Sequence, residues 1–121
     1  MIATGYAAVQ RETLTGRALE REVVIRITAR LEGADTSAPG GPTALISAGE
    51  ENRRLWTTLA IDLANPQNQC SDELRAGLIS LAAFVQGHSR SVISGTASPQ
   101  ILVEINRNII KGLSSPDMAA A

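Results

Sequence analysis

The sequence predicts an all-α protein, a small single-domain bundle of four to five helices packed mainly antiparallel over residues 1–113. Apolar residues recur at spacings of three and four along most of the chain, which is the pattern of helices with one buried face. No alternating run bounded by hairpin turns interrupts this pattern, so strands are not expected. The chain has 121 residues, of which 44% are hydrophobic. This is enough for one domain with its own core, and short connections favour antiparallel neighbours.

The first part of the chain predicts two helices, over 2–14 and 16–32. Thr15 is a suitable N-cap, and Gly16 weakens a continuous helix by about 1 kcal/mol relative to alanine. We therefore expect a kink or break between the two helices. Gly33 is expected to end the second helix in the left-handed conformation.

The segment 34–41 predicts a flexible linker, because its small and polar residues have no periodicity and bury little apolar surface. Its glycines do not indicate a phosphate-binding loop, since no Gly-Lys-Ser/Thr follows them. The next helix is predicted over 42–65, with Pro42 in its first turn. Asn65 precedes Pro66 and is therefore expected to end this helix.

Two further helices are predicted, over 72–94 and 98–113. Ser71 is a suitable N-cap for the first of them, and Gly95 a suitable stop. The apolar stripe of this helix is predicted to contain Leu74, Leu78, Leu81, Val85, His88 and Val92. The remaining residues, 114–121, are expected to form a disordered tail.

Composition excludes much chemistry. The chain has one histidine, His88, and one cysteine, Cys70. A structural zinc site needs four Cys or His ligands, and a nucleophilic triad needs a base beside its nucleophile. No second base lies at a supporting spacing from His88, so a structural histidine at the core edge is favoured, and Cys70 is interpreted as an ordinary loop cysteine. We expect no enzymatic activity, no metal and no cofactor.

Charge and hydropathy bear on nucleic acids and membranes. Proteins that bind single-stranded nucleic acid combine a positive groove with several stacking aromatics, whereas this chain has a net charge of −1 and a single Trp, Tyr and Phe. Direct nucleic-acid binding is therefore disfavoured. The longest nearly apolar stretch, Leu78 to Val85, is far shorter than the roughly 20 residues of a membrane helix. We expect a cytoplasmic protein without membrane association, and the sequence does not determine its oligomeric state.

The middle of the 42–65 helix is richest in binding chemistry, because Trp and Arg are enriched at interface hot spots. The candidate partner-binding residues are Asn52, Arg53, Arg54, Trp56, Arg75, Arg90 and Asn106. Alternatives remain for several of them. Trp56 is also the largest potential core residue, around which Arg53 and Arg54 would extend to solvent. Asn52 and Asn106 lie in apolar stripes, where a buried amide must bond either across the bundle or to a partner's backbone.

Several segments share their order and spacing with a known family. They are Tyr6-Ala7, 15–20, Glu51-Asn-Arg-Arg-Leu-Trp-Thr-Thr-Leu-Ala-Ile-Asp62, 65–68, 73–85 and 105–113. In these segments the chain resembles the FlaF family of flagellar biosynthesis regulators of α-proteobacteria. The resemblance covers nearly the whole chain apart from the 34–41 linker and the Ala tail. It departs at Cys70-Ser71, where Leu-Pro is expected in many relatives, and this changes a loop and a helix start.

The resemblance implies a cytoplasmic role in flagellum assembly, promoting flagellin synthesis or export and opposing the translational repressor FlbT. It implies no catalysis. A helical bundle of this kind could act as a chaperone-like module that holds an amphipathic flagellin helix in a groove. The alternative is a post-transcriptional regulator that acts on flagellin mRNA, with or against FlbT.

Overall fold

A computed structural model of the protein describes residues 10–113, which form four helices. They are α1 (Gln10–Gly33), α2 (Gly41–Ala64), α3 (Asp72–Ile93) and α4 (Gln100–Leu113), and this range contains no strand. The predicted all-α class is confirmed. The bounds of the last three helices agree with the sequence prediction to within about two residues, which is the usual uncertainty of helix ends.

Helix α1 is continuous through Thr15 and Gly16, so a break at this point is wrong, whereas the alternative of a kink stays a prediction. A single glycine costs only about 1 kcal/mol in a helix, which is less than the packing of one long amphipathic helix contributes. Gly33 is the last residue of α1, but its φ is not positive, so the predicted left-handed ending is also wrong. The part of the first predicted helix before residue 10 and the predicted tail lie outside the described residues.

The connector between α1 and α2 is a hydrogen-bonded turn. The Ala38 amide donates to the Asp35 carbonyl (3.0 Å), and the Gly41 amide donates to the Ala38 carbonyl (2.9 Å). Gly40 has a φ of 80°, which an L side chain rarely adopts. A Cβ on Gly41 would lie 1.7 Å from the Asp35 carbonyl oxygen, so the chain crosses itself here closely enough to require glycine.

Asp35 also organises this turn through its side chain. Its Oδ1 accepts hydrogen bonds from the Ser37 hydroxyl (2.6 Å) and from the Ser37 amide (3.0 Å). These two bonds favour the charged carboxylate and lower the pKa of Asp35 below its ordinary value of 3.8. Because the pKa is lowered in the folded state, the carboxylate stabilises the folded turn when the pH is above the ordinary pKa. This contribution is lost as the pH falls through the pKa of the folded state.

Local signals set most of the other helix ends. Asn65, before Pro66, takes an extended conformation after the last residue of α2. The Ser71 hydroxyl accepts a hydrogen bond from the Leu74 amide (3.2 Å) and caps α3. After α3, Gly95 has a φ of 81°, and the amides of the first two residues beyond the cap bond back to the last helical turn. This is a Schellman motif, which satisfies carbonyls that the helix leaves free.

The four helices share one core. Helix α2 packs most extensively on α3, and α1 packs on α4 and on α2. Along the α2/α3 contact, Gly49 lies beside Ile93, Asn52 bonds to Ser89 and Thr57 bonds to Gln86. Residue numbers therefore rise along α2 as they fall along α3, so these two helices are antiparallel. The predicted antiparallel packing of the whole bundle stays a prediction. The buried hydrophobic side chains include Ile27, Leu31, Trp56, Leu63, Val85, Val92, Leu102 and Val103.

Candidate partner-binding surface

A buried chain of hydrogen bonds joins α2, α3 and α4 at the centre of the core. Asn106 Nδ2 donates to Asn52 Oδ1 (2.9 Å), and Trp56 Nε1 donates to Asn106 Oδ1 (3.0 Å). Asn52 Nδ2 donates to Ser89 Oγ at 3.4 Å, a longer contact. None of the four side chains is more than 1% exposed. The polar atoms are therefore satisfied inside the bundle, as buried polar groups must be.

This network uses three of the predicted partner-binding residues internally. In the folded molecule Asn52, Trp56 and Asn106 present almost no surface to a partner. The structure therefore has the two asparagines bonding across the bundle, which was one of the two alternatives that their positions allowed. Trp56 is a core residue, and its indole N–H needs Asn106 because a buried donor without an acceptor is costly.

Ser89 is a member of this network that the apolar pattern does not predict. That pattern predicts His88 on the buried stripe of α3, but the buried positions are Leu78, Ala82, Val85, Ser89 and Val92. His88 is only half-buried. A serine four residues after Val85 and three before Val92 is the signal that could have revealed it, since this spacing follows one helix face.

Two of the predicted arginines are half-buried and bonded to nearby groups. Arg53 Nε donates to Gln86 Oε1 (3.4 Å) on α3, and Arg53 Nη1 forms an ion pair with Glu50 (3.3 Å). Arg75 Nη2 donates to the Cys70 carbonyl (3.3 Å) at the start of α3. The Arg75 Nε is buried without a hydrogen-bond partner among the described residues. These two side chains hold parts of the fold together as well as reaching the surface.

The other two predicted arginines are exposed. Arg54 lies on α2 and Arg90 near the end of α3, and neither forms an ion pair with a side chain that the structure describes. Arg54 lines a groove between α1 and α2, and Arg90 lines neither that groove nor the groove between α2 and α3. The structure therefore does not bring the seven candidate residues together into one site.

The α2/α3 groove is an apolar depression of about 390 Å³ on the surface. Its lining residues are Trp56, Thr57, Ala60, Ile61, Ala64, Ile79, Ala82, Ala83 and Gln86. Ile61 is 68% exposed and Ile79 is 40% exposed, so two large apolar side chains face solvent at the same groove. Gln86 Nε2 donates to the Arg53 carbonyl (2.9 Å) and to Thr57 Oγ1 (3.0 Å), which fixes the polar end of the groove.

The α1/α2 groove is a second depression, of about 300 Å³, on another face of α2. Its lining residues are Val23, Arg26, Ile27, Glu51, Arg54, Leu55 and Thr58. Glu51 is already neutralised by an ion pair with Arg30 of α1. The two grooves have no lining residue in common, so α2 separates two distinct surfaces.

The surroundings of His88 and Cys70 are those of residues that contribute to packing. The His88 ring stacks on Phe84, with ring centroids 5.5 Å apart and an angle of 21° between the ring planes. Its Nε2 lies 3.0 Å from the Ser98 carbonyl, which accepts a hydrogen bond when Nε2 carries the proton. Cys70 is buried, 4% exposed, in the loop before α3. The described residues contain no group of three metal-ligating side chains and no helix long and apolar enough to cross a membrane.

Comparison with known proteins identifies a family. The model of a protein family described as "Flagellar protein FlaF" matches residues 2–113. This range includes all four helices and both grooves. No curated protein and no solved structure matches the chain.

Proposed function

The chain belongs to the FlaF family of flagellar proteins, and we propose that it binds an amphipathic helix of flagellin in the α2/α3 groove, as a chaperone-like module. Its place of action in this proposal is the cytoplasm, where flagellin is held before export. Binding would keep the apolar face of the flagellin helix from associating too early. Flagellin synthesis or export is promoted as a result.

The observation that carries the proposal is the exposure of Ile61 and Ile79 on either side of a floor of small residues. A floor of alanines lets a third helix approach α2 and α3 closely, as in groove binding of amphipathic helices. The exposed isoleucines then lose contact with water, and each Å² of apolar surface buried contributes about 25 cal/mol. The buried Trp56 forms part of the floor and supports it from below.

The binding surface therefore differs from the stripe of Asn52 and Trp56 that the sequence suggested. It lies on the adjacent face of the same helix, where Thr57, Ala60 and Ile61 point into the groove. Arg53 remains next to it through its hydrogen bonds with Gln86. The core stripe and the partner surface are thus neighbours on α2 and have different tasks.

The test is the affinity of the purified chain for flagellin, measured by calorimetry and by co-elution in size-exclusion chromatography. We expect wild type to co-elute with flagellin and Ile61→Asp to weaken binding at least about tenfold, because a carboxylate would be buried against apolar side chains. The control is Ile46→Asp, since Ile46 is also an exposed isoleucine of α2 (43%) but lies in neither groove. Circular dichroism checks that both variants are folded.

Two results would contradict the proposal. If the wild-type chain forms no complex with flagellin, the proposed function is wrong. If Ile61→Asp and Ile46→Asp lose the same amount of affinity for flagellin, the proposed binding site is wrong. The alternative function, regulation of flagellin mRNA with or against FlbT, predicts instead that the chain binds that RNA with an affinity that falls steeply with salt. A salt-sensitive RNA complex without a flagellin complex would establish the alternative.

A further inference from the structure

We propose that the α1/α2 groove is a second docking surface, which takes an amphipathic helix carrying acidic residues on both sides of its apolar stripe. This surface is independent of the flagellin site proposed above. Its floor is apolar, formed by Val23 and Ile27 one turn apart on α1 and by Leu55 on α2. Val23 and Leu55 are half-buried, so part of their surface remains available to a partner.

The edges of the groove carry positive charge from both helices. Arg26 on α1 and Arg54 on α2 are exposed, and neither forms an ion pair with a side chain that the structure describes. Glu22 lies one turn before Arg26, and no ion pair joins the two among those found in the described part of the chain. The acidic residue in the lining, Glu51, is paired with Arg30, so it does not neutralise the two free guanidinium groups.

This combination determines the kind of partner. A groove between two helices accepts the ridge of a third helix, and an apolar floor requires an apolar stripe on it. A guanidinium group binds a carboxylate through two parallel hydrogen bonds, so the arginines favour Glu or Asp on both sides of that stripe. The α2/α3 groove has no charged residue in its lining and makes no such selection. Of the two grooves, the α1/α2 groove therefore favours an acidic helix, and the α2/α3 groove does not distinguish helices by charge.

The experiment uses two synthetic helical peptides of about 18 residues, or five turns. Both carry a leucine stripe, which is flanked by glutamates in the first peptide and by glutamines in the second. We expect the full chain to bind the glutamate peptide about fivefold more tightly at low salt, as two exposed charge pairs of modest strength would give. Fluorescence anisotropy measures both affinities, and added salt should remove the difference because it screens exposed charges.

Charge reversal locates the surface. Arg54→Glu is expected to abolish the preference for the glutamate peptide, and the matched control Arg90→Glu to preserve it, since both change an exposed and unpaired arginine. Ile61→Asp should also preserve it, which separates this surface from the flagellin site. Equal affinity for the two peptides would overturn the proposal, and so would equal effects of Arg54→Glu and Arg90→Glu on the preference. It would also be overturned if sedimentation showed that Arg54→Glu disrupts a dimer of this chain, because a second copy would then occupy the groove.

Discussion

The side-chain amide of Asn106 is hydrogen-bonded to two other buried side chains at once. It donates to Asn52 and accepts from Trp56. All three groups are shielded from water. If the Asn106 amide is removed, an indole N–H and an amide oxygen lose their partners in a place where water cannot replace it.

We therefore predict that Asn106→Ala lowers the free energy of unfolding by about 2–4 kcal/mol, which is the cost of two unsatisfied buried groups. The control is Asn108→Ala, two positions further along α4 and exposed, which should change stability by less than about 0.5 kcal/mol. Urea unfolding followed by Trp56 fluorescence measures both. Equal effects of the two substitutions would show that the network does not stabilise the fold.

The sequence predicts part of this network and not the rest. Asn52 and Asn106 stand in apolar stripes, so their burial and their need for partners follow from helical periodicity alone. Whether the partner is another helix or another protein depends on how the helices are positioned against each other. The same limit explains the choice of His88 over Ser89 on α3, since adjacent residues differ by about 100° around a helix.

At the scale of elements, the turn before α2 depends on one close backbone approach. Gly41→Ala should destabilise the protein by more than about 1 kcal/mol, because the new Cβ would lie 1.7 Å from the Asp35 carbonyl oxygen and backbone must move. Gly77→Ala in α3 is the control, since its Cβ would meet nothing within 4 Å. It should raise stability by about 0.5–1 kcal/mol through helix propensity.

Thermal unfolding of the two variants measures both effects. A Gly41→Ala protein as stable as wild type would mean that the turn has another conformation of similar energy. A Gly77→Ala protein less stable than wild type would mean that this position of α3 is not open. The pair therefore tests the local geometry and not only the general effect of removing a glycine.

Helix ends set by local chemistry were predictable, and features that depend on the rest of the molecule were less so. Asn65 before Pro66, the Ser71 cap and the Gly95 stop act within a few residues, so their effect is readable in the sequence. At Gly16 a local cost of about 1 kcal/mol is outweighed by a long helix that packs on two others. The close approach at Gly41 arises only because the connector folds back on itself.

At the scale of the whole molecule, α2 has a different task on each of three faces. One face carries Asn52 and Trp56 into the core, and the other two line the α2/α3 and α1/α2 grooves. Neither groove follows from the apolar stripe of a single helix, since each needs the side chains of a second helix. The sequence could therefore single out α2 as the candidate for partner binding without indicating which of its surfaces is proposed to bind.

This arrangement predicts that Trp56 affects binding by maintaining the fold. Trp56→Ala removes a side chain that is 1% exposed and should cost about 3–5 kcal/mol, a large part of the 5–15 kcal/mol typical of a domain. Flagellin binding should then fall in proportion to the folded fraction, measured by circular dichroism. A stabilising osmolyte favours the compact state and should restore binding by Trp56→Ala.

The same osmolyte should not restore binding by Ile61→Asp, whose defect lies at the surface of a folded protein. Trp56→Phe adds a second comparison, because it keeps most of the ring volume and loses the N–H that Asn106 accepts. It should be less destabilising than Trp56→Ala and should bind flagellin normally when folded. If folded Trp56→Phe protein failed to bind, the indole at the floor of the α2/α3 groove would have to contact flagellin directly.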